Sequence, residues 1–439
     1  MNFNDHVESR RIIVEEDSLF RLFVKCRMEG CSSFVDRDNL KKRYIGALLE
    51  VKATCNEHHE TTWLSGAMVG EERCKTGVIN LLLATFCLTV GLRFKQVQDF
   101  FSHMRIAFFS ESFYYNLQES VLEKAVWFHW LFMQQKEIEA MKKRASSGAK
   151  IKLAGDGQFD SPGFSAMYCT YSVQDLDSKK IVGLYVARKD MVRYSGEMEP
   201  YAAKTILLHL THEFGLKIDS ITTDRSTTMR SMIKGLSKEL PVLHGPLTQY
   251  FDIWHNIKGI KKDVYAASQL KSCQVLELWS SSITNMLWYS FGTSIDNPEM
   301  IEEKIYSILG HIANEHTFEG NRFLKHCEHD PLPLDGNRTK PWVKKGTPPW
   351  NKVKAALEGK DGSRISDIPM MAGFTHTGDI EQYNNLHNKY APKNTYFSHK
   401  SMLVRAALTA MDHNINADRS QVSFLFFSNF EIKETTIQF

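Results

Sequence analysis

Short β-rich apolar runs alternate along the chain with longer stretches of helical period, and three of these elements end or open on a carboxylate. In IKLAGDGQFDSPG the apolar run stops at Asp156, and in IDSITTDRS it stops at Asp224. Glu381 falls inside HTGDIEQYNNLH, which reads as a helix. After Asp156, SAMYCTYSVQDLDSKKIVGLYVARK reads as two β-rich runs joined by a polar turn at Asp175 to Lys180, an antiparallel hairpin. Tyr201 to Gly215 then places apolar residues at helical spacing and stops at a glycine, and IDSITTD supplies a further strand.

Three strands, a helix and a fourth strand is the ribonuclease-H-like order, in which the first and fourth strands are neighbours. Asp156 and Asp224 are therefore expected side by side. Taken singly, an Asp at a strand end is also a turn former or a helix N-cap, and the glycines flanking Asp156 suit a turn. Three converging carboxylates instead suit Mg²⁺, a hard cation that prefers oxygen ligands and keeps several waters. Two such ions roughly 3.5–4 Å apart stabilise both the attacking and the leaving oxygen of an in-line displacement at phosphorus. The reading is a Mg²⁺ (or Mn²⁺) site that cuts or joins nucleic acid strands.

The words GDGQFDSPG, TTDRS, YFDIWHNIKG and HTGDIEQYNNLHNKYAPKN, in that order, resemble the eukaryotic cut-and-paste DDE transposases of the Kolobok type, over about Cys26 to Asn416. The resemblance implies Asp156, Asp224 and Glu381 as the catalytic carboxylates on a mixed five-stranded ribonuclease-H-like sheet. It also implies an accessory role for Asp252 and His255 in positioning the strand or a second ion. The local alternative is that Asp252 caps a helix, His255 bonds a backbone carbonyl and Trp254 fills core. Gln158, Phe159 and Ser226 stand where that pattern usually has Arg, Cys and His. The implied activity is hydrolysis at transposon ends followed by strand transfer into double-stranded DNA, by a homo-oligomer. The alternatives are a retained transposase descendant that binds DNA or chromatin without cutting, and a ribonuclease-H-like nuclease unrelated to transposition.

Around this α/β core the pattern predicts further units. Residues 1–66 hold Cys26, Cys31 and Cys55 followed by His58 and His59, with the β-rich run YIGALLEVKATC leading into the second knuckle. This reads as a zinc ribbon, with His58 taken as the fourth ligand although the adjacent His59 serves as well. Residues 67–149 read as helical throughout, with Gly91 between two helices, Ser110 or Ser112 as an N-cap and a last helix over Trp127 to Arg144. Either the helix near Ser112 reads a major groove or its aromatic stripe is core. The core is divided into 150–271 and 370–415, with a mostly helical insertion at 272–369 and a tail at 416–439. Inside the insertion, His311, His316, Cys327 and His329 make a second structural zinc candidate.

Composition adds limits rather than identity. A chain of 439 residues with 43% hydrophobic content buries a sizeable core. Its net charge of +3 leaves DNA binding to local basic patches. Of these, Lys258, Lys261 and Lys262 follow directly on the expected site, while Lys41 to Arg43 and Lys142 to Arg144 read as solvated faces. In KPWVKKGTPPWNK, Trp342 and Trp350 either stack on unpaired bases or pack in a rigid Pro-rich connector. Neither a signal-peptide-like start nor an apolar run of the roughly 20 residues a membrane helix needs is present, so the expected place is the nucleus, with reduced cysteines.

Overall fold

A computed structural model describes residues 9–70, 75–162, 165–239, 247–330 and 340–419. Its N-terminal part carries a short helix α1 (Glu16–Phe20) and an antiparallel sheet of β1 (Leu40–Ile45), β2 (Leu48–Thr54) and β3 (Glu60–Leu64). Only small clusters lie beneath it: Phe23, Leu49 and Val51 in one, Val35, Ala53 and Cys55 in the other. A core so small does not hold three strands by itself. A two-stranded ribbon, β4 (Met68–Val69) with β5 (Thr76–Gly77), leads out of it.

The following region is helical, as its apolar period predicts: α2 (Val78–Thr89), α3 (Phe94–His103), α4 (Glu111–Leu117) and α5 (Glu123–Ser146). Gly91 breaks α2 from α3 at φ 78°, where a Cβ would also strike the carbonyl oxygen of Lys389. Ser110 caps α4 by accepting from the Phe113 amide. A single wide turn over Gln118–Leu122 then joins α4 to α5, so the last helix starts earlier than the apolar pattern indicated. Phe109 and Tyr114 both stack on Phe94 inside. The aromatic stripe is thus core, which leaves Tyr115 on the exposed face of α4.

The central sheet has the order β10-β9-β6-β7-β8. β6 (Lys152–Phe159), β7 (Tyr168–Asp175) and β8 (Ile181–Arg188) run antiparallel as the predicted hairpin and its neighbour. After α6 (Met198–His212), β9 (Ser220–Thr223) lies parallel to β6. After α7 (Thr227–Glu239), β10 (Thr248–Phe251) lies parallel to β9. Every residue of β7 is buried, because helices cover both faces. Val182 joins a cluster with Ile206, Leu207 and Leu210 of α6, whereas its neighbour Ile181 joins Ile380, Tyr383 and Ala407.

Beyond the sheet, α8 (Ile253–Ser268), α9 (Val275–Gly292), α10 (Pro298–His311), α11 (Pro348–Glu358) and the short α12 (Ser363–Ser366) gather around a core of their own. Ile257 and Ile260 of α8 belong to it, together with Trp279, Leu287, Ile305 and Val353. The chain then returns to the sheet as α13 (Gly378–Tyr390) and α14 (His399–Asn416). The β-rich tail run from Gln421 onward lies outside the described residues. Among the described residues, no helix is long and apolar enough to cross a membrane.

Candidate active site

The β6–β9 pairing sets Lys152 opposite Ser220, Leu153 opposite Ile221 and Ala154 opposite Thr222. Two further steps of that register bring Asp156 opposite Asp224, where β9 has just ended. Asp156 is held from two sides: the Gly157 amide donates to its Oδ1 at 2.9 Å, and Asn384 Nδ2 donates to its Oδ2 at 2.7 Å. Asn384 lies one helical turn after Glu381 on α13, so the same helix brings the third carboxylate and orients the first. Gln158 adds a second tie to that helix by donating to Asn388 Oδ1 at 2.5 Å. Behind Asp224, Arg225 and Arg230 reach the buried Asp367.

Asp252 ends β10 and caps α8, accepting from the Trp254 amide at 2.7 Å, so the capping reading holds. Its other oxygen accepts from Thr377 and from His255 Nδ1, the latter at 2.8 Å. His255 does not bond a backbone carbonyl. Its Nδ1 lies 3.1 Å from Asp224 Oδ1, and its Nε2 lies 3.3 Å from Glu381 Oε1. One imidazole thus joins Asp224, Asp252 and Glu381, residues far apart in sequence.

Burial, and then the charge of Asp224, push the Asp156 carboxyl up to about 6. Burial raises Asp224 as well, although His255 opposes the shift. Burial works in the same direction on Asp252, but hydrogen bonds from His255 and Thr377 to its anion outweigh it and leave the group below the ordinary range. His255 is raised, first by its hydrogen bond to Asp252. Oxygen donors suit a hard divalent cation. Among the described residues Asp224, Asp252 and His255 bring their ligand atoms within 4.8 Å of one another, a group that Asp156 and Glu381 do not join. Asp224 Oδ1 has no hydrogen-bond partner that meets the usual geometry. A cleft of about 860 Å³ opens from Asp156 and Glu381 past Asn388 and Lys393. A cleft of about 890 Å³, lined by Trp127, Phe128 and Leu403, carries none of these carboxylates.

Two Cys and His groups assemble elsewhere. In the N-terminal module the ligand atoms of Cys26, Cys31, Cys55 and His59 lie within 4.8 Å of one another. His59, not His58, takes the fourth place. His58 occupies a left-handed turn position at φ 60° and is exposed, while His59 Nδ1 lies 3.6 Å from Cys55 Sγ. In the helical region His311, His316, Cys327 and His329 come together as expected. Cys327 Sγ lies 3.4 Å from His316 Nδ1 and 3.6 Å from His311 Nδ1, and His329 Nε2 lies 3.3 Å from His316 Nδ1. Tetrahedral zinc with bonds of about 2.0–2.3 Å sets its ligand atoms roughly 3.3–3.8 Å apart, so the spacing is compatible with such an ion. The outward nitrogens of His316 and His329 reach Asn314 Oδ1 and the Asp330 carbonyl, as second partners of ligating imidazoles do.

Lys258, Lys261 and Lys262 are all exposed along α8, leading away from His255, and Lys258 Nζ stands 4.0 Å over the Trp254 ring. Trp342 and Trp350 take the connector arrangement. Trp350 Nε1 donates to the Leu309 carbonyl at 3.0 Å, and Trp342 lies 5.8 Å from Trp279, so both rings pack on the helical core. The sequence pattern alone does not single out Asn384, which its helical spacing from Glu381 could have revealed.

The chain belongs to the Mutator-like transposase family, whose model matches residues 9–327, and is a DNA transposase by that membership. The match includes Asp156, Asp224, Asp252 and His255 and ends before Glu381. Among solved structures, the Drosophila P element transposase strand transfer complex aligns at a TM-score of 0.33 and 10% sequence identity, covering 80% of this chain and 95% of that chain. A search of curated proteins finds no match.

Proposed function

We propose that this chain is a DDE-type transposase whose ribonuclease-H-like core hydrolyses a phosphodiester at a transposon end and transfers the strand into target double-stranded DNA. The observation that carries the reading is that the register of two parallel strands carries Asp156 and Asp224 to the same end of the sheet, while His255 links Asp224 to Glu381 on the returning helix. The strand order, with the first and fourth strands paired at the centre, supports the ribonuclease-H-like assignment. The four sequence words support the Kolobok type as its finer class.

Asp156, Asp224 and Glu381 would hold the divalent ions. Bound there, Mg²⁺ or Mn²⁺ supplies Lewis acidity at the attacking and leaving oxygens. Asn384 fixes the Asp156 carboxylate, and Asp252 and Thr377 orient His255 toward Asp224 and Glu381. Lys258, Lys261 and Lys262 lie where a phosphate backbone leaving the site would run, and the outer face of α4 with Tyr115 is the surface for groove contact. Zinc at the two Cys and His groups would be structural, because all four positions are protein ligands. Two ends must be cut together, which calls for a homo-oligomer, and the substrate places the protein in the nucleus.

The test is strand nicking and joining on a mixed DNA pool with Mg²⁺ or Mn²⁺. Asp156→Asn, Asp224→Asn and Glu381→Gln are each expected to lower activity by roughly 100-fold or more, beyond what loss of an outer-shell partner costs, while DNA binding is kept. Cleavage that persists in all three variants would refute the reading. Tight DNA binding with no cutting by the unaltered chain would favour a retained binding protein.

A further inference from the structure

Asp156 and Gln158 are two residues apart on β6, so their side chains share one face of the sheet. Opposite them on α13 stand Asn384 and Asn388, four residues apart and so on one face of the helix. Two steps of a strand and four of a helix both span roughly 6–7 Å, which lets the two pairs form as parallel rungs. One rung runs from Asn384 Nδ2 to Asp156 Oδ2 at 2.7 Å, the other from Gln158 Nε2 to Asn388 Oδ1 at 2.5 Å.

Each rung fixes which way an amide points. A carboxylate accepts only from the amide nitrogen, so Asn384 is left with its carbonyl oxygen, whereas Asn388, whose oxygen is taken, is left with its nitrogen. Neither of these atoms has a hydrogen bond among the described residues. Gln158 is only 8% exposed, yet its side-chain oxygen is buried without a partner. An unanswered buried amide oxygen costs stability, which a staple between strand and helix does not require. All three amides line the cleft of about 860 Å³ that opens from Asp156 and Glu381. Beyond the C-terminal end of α13 the cleft reaches Lys393, which is exposed and makes no ion pair among the described residues.

Glu381 and Asn388 lie seven residues, about 10 Å, apart along α13. That length holds one nucleotide between a phosphate at the carboxylates and the next phosphate at Lys393. We propose that the cleft is a base-reading pocket for one unpaired nucleotide beside the phosphate that is cut, with the base edge against the free oxygen of Asn384 and the free nitrogen of Asn388. An acceptor and a donor on neighbouring turns match the exocyclic amine and ring nitrogen of adenine, whereas thymine has no such amine. A nucleotide drawn out of a duplex is read in this way, through its exposed edge. Gln158 is then a positioning residue that keeps the Asn388 amide from turning. The inference rests on the strand-cutting reading of the site, and its rival is a staple that ties α13 to β6 and reads nothing.

The test uses the full, zinc-loaded chain, the mixed DNA pool and Mg²⁺, with the ends of the products sequenced for the unaltered protein, Asn388→Ala, Gln158→Leu and Lys393→Ala. The unaltered protein should favour adenine over thymine by roughly 5-fold or more at one position beside the cut. Asn388→Ala should bring that ratio close to one, and Gln158→Leu should lower it independently. Lys393→Ala should reduce cutting at all sites alike and keep the ratio. Because the ratio compares sites within one reaction, a general loss of stability or rate does not move it. A ratio unchanged in both Asn388→Ala and Gln158→Leu overturns the pocket and leaves the staple, with the strand-cutting reading intact. So does an unaltered protein that cuts without preferring adenine there. If the unaltered chain cuts nothing that Asp156→Asn spares, the reading beneath the inference fails as well.

Discussion

His255 is a base placed among acids: its two nitrogens reach Asp224, Asp252 and Glu381, so without metal its imidazolium is the positive charge that holds the three together. Two residues of the site contribute to the pH dependence with a definite sign. The Asp156 pKa is raised from its ordinary value to about 6 by burial and Asp224, so the native state keeps a proton that the unfolded chain releases, and stability falls as pH rises across that interval. The His255 pKa is also raised, chiefly by Asp252, so its contribution is full below the unfolded value and fades as pH climbs through the native one. Both contributions have the same sign. His387, buried and pushed down to about 4 by desolvation, acts in the opposite direction. The site's part is therefore read as the difference in Tm between the unaltered metal-free protein and Asp156→Asn, which should decline from about pH 4 to 6. A difference that stays constant or grows with pH would contradict this account of Asp156.

The elements differ in how much apolar surface supports them. The five-stranded sheet is covered on both faces, and β7 is buried throughout, whereas β1–β3 rest on two clusters of three buried residues each. If Cys26, Cys31, Cys55 and His59 hold zinc, the ion takes the place of that missing core. Stripping zinc with a chelator, or replacing Cys55 with Ser, should open residues 9–70 to proteolysis while 150–239 stays protected. His58→Ala should change nothing, since that side chain is exposed and stands outside the group. Equal protection with and without zinc would remove the metal from the account of this module. The same scale explains α4 and α5: one wide turn joins them because no Gly or Pro stands between Ser110 and Ser146 to stop the helix.

Across the whole molecule the charge is nearly balanced, so attraction to DNA must be local. Lys258, Lys261 and Lys262 form an exposed row on the helix that begins at the carboxylates. Replacing all three with Ala should weaken binding to any DNA sequence alike and reduce the salt slope by about one for each phosphate left without its lysine. Binding isotherms across a salt series read this directly. A weakening confined to one sequence would mean base reading instead.

By itself the sequence determined most local elements and where they stop: a strand ending before Asp224, a helix holding Glu381, an N-cap at Ser110, a break at Gly91 and a cap at Asp252. These depend on side-chain period and on backbone donors a few residues away, so they can be read from neighbours along the chain. The strand expected to stop at Asp156 instead runs to Phe159, because β7 pairs with it that far. Tertiary structure alone decided the rest. A turn conformation turned His58 away from the cysteines and His59 toward them, and packing on Trp279 and a bond to Leu309 seated Trp342 and Trp350 against the helical core, each half-exposed. The register of two parallel strands aligned Asp156 with Asp224, and the returning helix set Asn384 against Asp156 and Asn388 against Gln158. Those pairings join residues tens to hundreds of positions apart, and their energies depend on burial and on charges brought near by folding, which no local pattern encodes.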